Sequence, residues 1–283
     1  MQSLLTSLQQ TQVIAMLVGL LLLFLWESLH PFYDHFRGNF KHRGKHAVRN
    51  LVMGALNSAL IAVLFVGLWF AASVWADNYR FGLMHWLQDW AELPTWAHAA
   101  GAILLFDAWS YTWHRINHEI PFFWRFHRVH HSDPNMDVTT ANRFHIGEIF
   151  FSSLFRIPLI ALFGIYLWEL VLYETLMFAV VQFHHSNIGI TEKVDRIIRA
   201  ILVSPNMHRV HHSRWQPETD SNYSSLFSFW DRLAQSFRHN PNPKSIKLGL
   251  DEFDREKDQT VKGMLRTPVT QVDKTSQQED QPK

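Results

Sequence analysis

Four stretches of this chain run long without charge. Residues 1–26 carry no charged side chain, and the part from Val13 to Trp26 is almost wholly apolar. Residues 50–76 are uncharged. As a helix they are long enough to span a hydrocarbon core of roughly 30 Å. Residues 96–113 form a third apolar run, interrupted late by Asp107. Residues 149–183 form a fourth, with Arg156, Glu169 and Glu174 inside it and with Pro158 and Gly164 as breakers. That last run predicts a helical hairpin that enters and leaves on one side. The expected fold class is therefore all-α: an integral membrane helical bundle of about four to five membrane segments, hairpin included. The first run reads as a span rather than a cleavable signal, because it lacks a basic start and leads into Glu27, His30 and Pro31.

Charge in the short loops orients the bundle. Arg37, Lys41, Arg43, Lys45 and Arg49 stand against Asp34 between the first two spans, which places that loop in the cytoplasm. The next loop has Asp77, Asp89 and Glu92 against Arg80, and its Tyr79, Trp86 and Trp90 suggest a short interfacial helix. The third run then returns to the cytoplasm, and the hairpin starts and ends there. Residues 1–95 read as membrane segments with the interfacial helix and 96–250 as a second domain. Residues 251–283, rich in charge and poor in large apolar side chains, read as a disordered polar tail.

Composition narrows the chemistry. The net charge of +1 gives no reason to expect a nucleic-acid partner. The absence of cysteine excludes disulfides, iron–sulfur clusters and thiolate-ligated haem.

Against that background stand the histidines, 18 in 283 residues. The hexapeptide His-Arg-Val-His-His-Ser occurs twice, at residues 127–132 and 208–213, and each copy sets imidazoles at i, i+3 and i+4 on one helical face. His114 and His118 add an i,i+4 pair just upstream. All three boxes follow or precede apolar runs on the side that loop charge calls cytoplasmic, so they form a helical cap on that face. Imidazole is the commonest metal ligand, and a site made of nitrogen suggests iron, zinc or copper rather than magnesium or calcium. His30, His35, His42, His46, His85, His98 and His239 lie outside the boxes and read as interfacial or loop residues; the basic setting of His42 and His46 favours lipid headgroups.

With those residues in hand, the chain resembles the fatty acid hydroxylase / sterol desaturase superfamily of membrane di-iron oxygenases. Residues 105–118 resemble its D-x-x-x-Y-x-x-H-R-x-x-H box and residues 126–132 its second box. Residues 143–148 are similar to R-x-H-P-x-E, with Ile146 where proline is usual, and residues 185–187 to H-[SA]-N. Residues 204–212 resemble the third box with its leading proline, and Asn222-Tyr223 with Trp230-Asp231 resemble the N-Y…W-D close. Glu119 after His118 is similar to alkylglycerol monooxygenase-like members.

The resemblance implies that His114, His118, His127, His130, His131, His185, His208, His211 and His212 ligate two irons, with His184 the alternative to His185. Zinc is the expected substitute in purified protein, since nitrogen sites bind it well. Asp107, two turns before His114, is the expected partner for a ligand's second N–H, with Glu119, Asp133, Asp137 and Glu148 as alternatives and His145 as a further site residue. The implied activity is O2-dependent hydroxylation, desaturation or cleavage of a lipid that enters from the bilayer: a sterol, acyl chain, carotenoid or alkylglycerol. Electrons would come from a separate cytochrome or ferredoxin/reductase-type donor, because the chain has no dinucleotide fingerprint. The membrane would be a bacterial inner membrane, or the endoplasmic reticulum in a eukaryote. The competing reading is a non-enzymatic metal protein, a zinc transporter or bis-His haem carrier.

Overall fold

The computed structural model describes residues 2–271, and among these there is no sheet, only three isolated bridges. The helices follow the apolar runs: α1 Gln2–Leu29, α2 Phe40–Leu64, α3 Val66–Asn78, α4 Leu83–Ala91, α5 Thr95–Glu119, α6 Pro121–His131, α7 Ile146–Phe163, α8 Leu167–His185, α9 Glu192–Ile198 and α10 Pro205–His211. Among the described residues, three stretches are long and apolar enough to cross a membrane: Gln10–Leu29, Phe40–Ala91 and Ile146–Phe163. Their side chains face outward: Ile14, Leu17 and Leu22 of α1 each leave 61% of their surface exposed. In water that surface would be prohibitive; in lipid it is the solvated face. The molecule is an all-α membrane bundle.

The hairpin is α7 and α8. Gly164 ends α7 at φ +67, and a Cβ there would meet the carbonyl of Phe81 at 3.0 Å, so the turn accepts only glycine. The bundle core is Phe65, Trp69, Ala102, Phe106, Ile160, Ile165, Leu170 and Tyr173, which joins α3, α5, α7 and α8. The loop after α3 holds the expected short helix α4, whose Trp86 and Trp90 are exposed as interfacial tryptophans are.

Three sequence expectations are corrected here. Residues 251–271 are not a disordered tail: Phe253, Met264 and Thr267 are buried, and a short helix, Val261–Arg266, packs Met264 against Met53 and Val129. Few apolar residues suffice because each fills a gap in a surface already built. The rest of the expected tail, 272–283, lies outside the described residues. His46 does not meet headgroups. Helix α2 has 25 residues. A helix of that length rises about 37 Å, more than a hydrocarbon core needs, so its first turns reach into the cap. There His46 is buried and lies 2.9 Å from Asp133 and 3.4 Å from Asp137. His98 and His85 are likewise buried, with His98 Nδ1 2.7 Å from Glu169 Oε1.

Candidate metal centre

Each box is placed by a local device. Pro121 starts α6, so the box at residues 127–131 occupies its last turns. Ser204 caps α10 by accepting from the Met207 N–H, and Pro205 occupies its first turn. The arginine of each hexapeptide faces away from the histidines and binds carbonyls of another segment: Arg128 those of Thr267 and Thr270, Arg209 those of Ser186 and Ile188. Arg209 also lies over the Phe32 ring at 4.0 Å.

The imidazoles converge in two sets. One is His114, His118, His127, His131 and His211; the other is His130, His185, His208 and His212; within each, the ligand atoms all lie within 4.8 Å. The Nε2 atoms face each other: His114 to His127 at 3.0 Å, His211 to His114 at 3.0 Å, His131 to His127 at 3.2 Å, His185 to His130 at 3.0 Å, His208 to His185 at 2.9 Å. Both α6 and α10 contribute to both sets, so the sets share one wall.

The outer nitrogens explain why Nε2 points inward. His127 Nδ1 lies 2.9 Å from Glu148 Oε1 and His118 Nδ1 3.2 Å from Asp220 Oδ1. His114, His211 and His185 put Nδ1 at 2.7, 2.6 and 2.8 Å from the carbonyls of Tyr223, Ser221 and Val181. An oxygen of this kind accepts only, so Nδ1 carries the proton and Nε2 keeps its lone pair for a metal. Burial, and then the neighbouring imidazoles, push His130, His131, His208, His211 and His212 well below the usual imidazole range. They are neutral near physiological pH, the state that ligates.

The residues fit a pair of metal ions. In the His114–His127 and His211–His114 contacts all three outer nitrogens hold their protons, so the facing Nε2 lone pairs have no proton to share. His118 Nε2 and His212 Nε2 are buried with no partner at all. A cation at the centre of each set satisfies both.

The expected neighbours fare unevenly. Glu148 meets an imidazole of the first set, His127. Asp107 does not: its carboxylate accepts from Trp230 Nε1 at 2.8 Å, the Phe227 N–H at 3.0 Å and the Tyr173 hydroxyl at 3.2 Å, tying α5 to the loop before residue 230. Glu119 is exposed and pairs with Arg115 at 2.7 Å. His145 stands outside both sets and caps α7 by accepting from the Gly147 N–H. His184 also stands outside them, though its ring lies 3.9 Å from that of His208. Asp133 and Asp137 belong to the His46 cluster.

Sequence reasoning missed Asp220 and the 221–223 carbonyls as ligand supports. Asp231 holds that loop by accepting from the Tyr223 and Ser224 N–H groups at 2.8 and 3.0 Å. Asn222, at φ +54, a conformation asparagine tolerates, donates to the carbonyls of Met207 and Arg238. The N-Y…W-D pattern was the available signal, and its role is to aim backbone oxygens at His114 and His211.

Comparison with known proteins agrees with this geometry. Residues 99–236 match the fatty acid hydroxylase family. The chain is 30% identical over 169 residues to the alkylglycerol monooxygenase of Homo sapiens, across 58% of this chain and 34% of that one. It is 34% identical over 149 residues to the ornithine lipid hydroxylase OlsE of Rhizobium tropici, across 50% of this chain and 41% of that one. To the cholesterol 25-hydroxylase of Rattus norvegicus it is 23% identical over 179 residues, across 60% of this chain and 59% of that one. The matched stretches thus span about a third to three fifths of these relatives. No solved structure matches. All the imidazoles of both sets fall inside residues 99–236, the segment of this chain that matches the fatty acid hydroxylase family.

Proposed function

We propose that this protein is a membrane di-iron oxygenase that hydroxylates a lipid at the cytoplasmic face of its membrane. The observation that carries the reading is the convergence of nine imidazoles in two sets, with the outer nitrogens of five of them directed at oxygen acceptors. His114, His118, His127, His131 and His211 would hold one iron, and His130, His185, His208 and His212 the other. When bound, such a pair supplies the oxidising power to place one atom of O2 in an unactivated C–H bond, the other leaving as water with two electrons and two protons from outside. Neutral ligands favour this because they leave the metals cationic.

The chain's own residues prepare the site. Glu148 and Asp220 fix two ligand rings by charge, and the 221–223 carbonyls fix two more. Phe144 stacks on His130 at 4.3 Å between ring centres, keeping water off that wall. The lipid-facing helices end at this cap, so a substrate dissolved in the bilayer arrives without crossing water. Hydroxylation is favoured over desaturation because the relatives named above are hydroxylases and a monooxygenase. The basic loop at residues 37–49 supports the cytoplasmic placement. Electrons come from a separate protein in this reading.

The test has two parts. Protein purified from iron-replete cells should carry about two irons per chain, the number a paired-metal site holds. Membranes of a host making it should gain an oxygenated lipid that the His211→Ala variant does not make. A haem absorption band with one iron per chain would sink the proposal.

A further inference from the structure

Residues 253–270 touch the first hexapeptide and the start of α7 at successive points. Gln259 accepts from Arg143 Nη2 at 2.7 Å and donates to the carbonyls of Ser132 and Phe253 at 2.9 and 2.6 Å. Arg143 is itself fully buried and donates to the Val129 carbonyl at 3.0 Å and the Ser132 hydroxyl at 3.0 Å. Met264 is buried against Val129, the residue between His127 and His130 that faces away from the metals. The Leu265 carbonyl accepts from His145 Nε2 at 3.3 Å, and the Thr267 and Thr270 carbonyls accept from Arg128. Gly263 lets the segment fold this tightly: a Cβ there would collide with the Lys257 carbonyl.

These contacts converge on one piece of geometry. Arg128, Val129 and Ser132 lie on α6 or at its end, on the side opposite the ligands. Arg143 and His145 lead into α7, whose first turn carries Glu148. The segment therefore grips both partners of the His127–Glu148 contact from behind, and it lies outside the matched residues 99–236.

We propose that residues 253–270 are a strap that positions α6 and the start of α7, holding His127, His130 and His131 in register for metal and Glu148 against His127. Gln259 and Met264 are its positioning residues; neither touches a metal ligand side chain. The proposal rests on the metal-centre reading above.

Full-length protein loaded with cobalt(II) tests it. Gln259→Ala and Met264→Ala should each release cobalt to a chelator roughly 10-fold faster than wild type, the low end for losing support around a ligand, and should shift the cobalt ligand-field absorption. The measurement is made well below the melting transition, so a general loss of stability does not mimic it. Asp34→Ala, which breaks an exposed pair with Arg37 outside the strap, should release cobalt at the wild-type rate. A chain ending at residue 249 should bind little metal; should it not fold, the two substitutions decide. Wild-type release rates and spectra in both variants overturn the strap alone. A wild-type protein that binds no cobalt overturns the metal-centre reading, and the strap with it.

Discussion

Removing Glu148 isolates one support of the metal site. Its Oε1 lies 2.9 Å from His127 Nδ1, and its Oε2 has no other hydrogen-bond partner. The carboxylate thus serves one bond, between two buried side chains. Glu148→Ala leaves the Nδ1–H without an acceptor and frees the ring to turn or to change tautomer. Loss of such a partner lowers metal affinity by roughly 10–100-fold, or about 1.4–2.8 kcal/mol. Glu148→Gln keeps an oxygen that can accept and loses only the charge, so its effect belongs at the low end. Competition for zinc or cobalt against a chelator of known affinity, in detergent, reads both numbers. Asp107→Asn supplies the contrast. Turned with its oxygen toward Trp230 and Phe227 and its amide toward the Tyr173 hydroxyl, asparagine satisfies every contact. Metal affinity should then stay within about twofold. If Glu148→Ala binds metal as wild type does, or Asp107→Asn weakens binding more than Glu148→Ala, the assignment of supports is wrong.

Two further outcomes follow from buried groups. Glu169 is fully buried, 2.7 Å from His98. His98→Ala leaves that carboxylate with the Tyr166 N–H as its remaining partner and should destabilise the bundle by about 1–3 kcal/mol in a denaturant titration, while protein that remains folded keeps its metal; near-wild-type stability would refute the buried pairing. Acid should also destabilise the metal-free protein. An unfolded imidazole takes up a proton near pH 6.5, whereas His130, His131, His208, His211 and His212 do so only well below it. Below about pH 6.5 the unfolded chain therefore holds more protons, and stability present above that pH is lost as pH falls. The thermal unfolding temperature should drop from about pH 6.5 to about pH 5, and a flat profile there would refute burial of neutral rings.

The sequence by itself determined the parts whose logic is local. Uncharged runs must become helices in lipid, because nothing else here satisfies their backbone. Imidazoles at i, i+3 and i+4 must share a helix face. From these two rules came the bundle, the hairpin around Gly164 and every imidazole of the two sets except His185, which entered through its Ser186-Asn187 neighbours. Tertiary structure decided whatever depends on residues meeting across long separations. Asp220 reaches His118 over 102 positions and Tyr223 reaches His114 over 109; no local pattern announces either contact. His185 joins a set while His184, next to it, does not: His185 Nε2 lies 3.0 Å from His130 Nε2 and 2.9 Å from His208 Nε2, contacts made across 55 and 23 positions. His46 looked like a headgroup contact from its basic neighbours, yet α2 overruns the membrane and carries it into the cap beside Asp133. Residues 251–271 looked disordered because composition counts apolar side chains without knowing where they land. Met264 lands between α2 and α6, and Phe253 lands beneath the Arg128 guanidinium; that fit exists only once the other helices are in place.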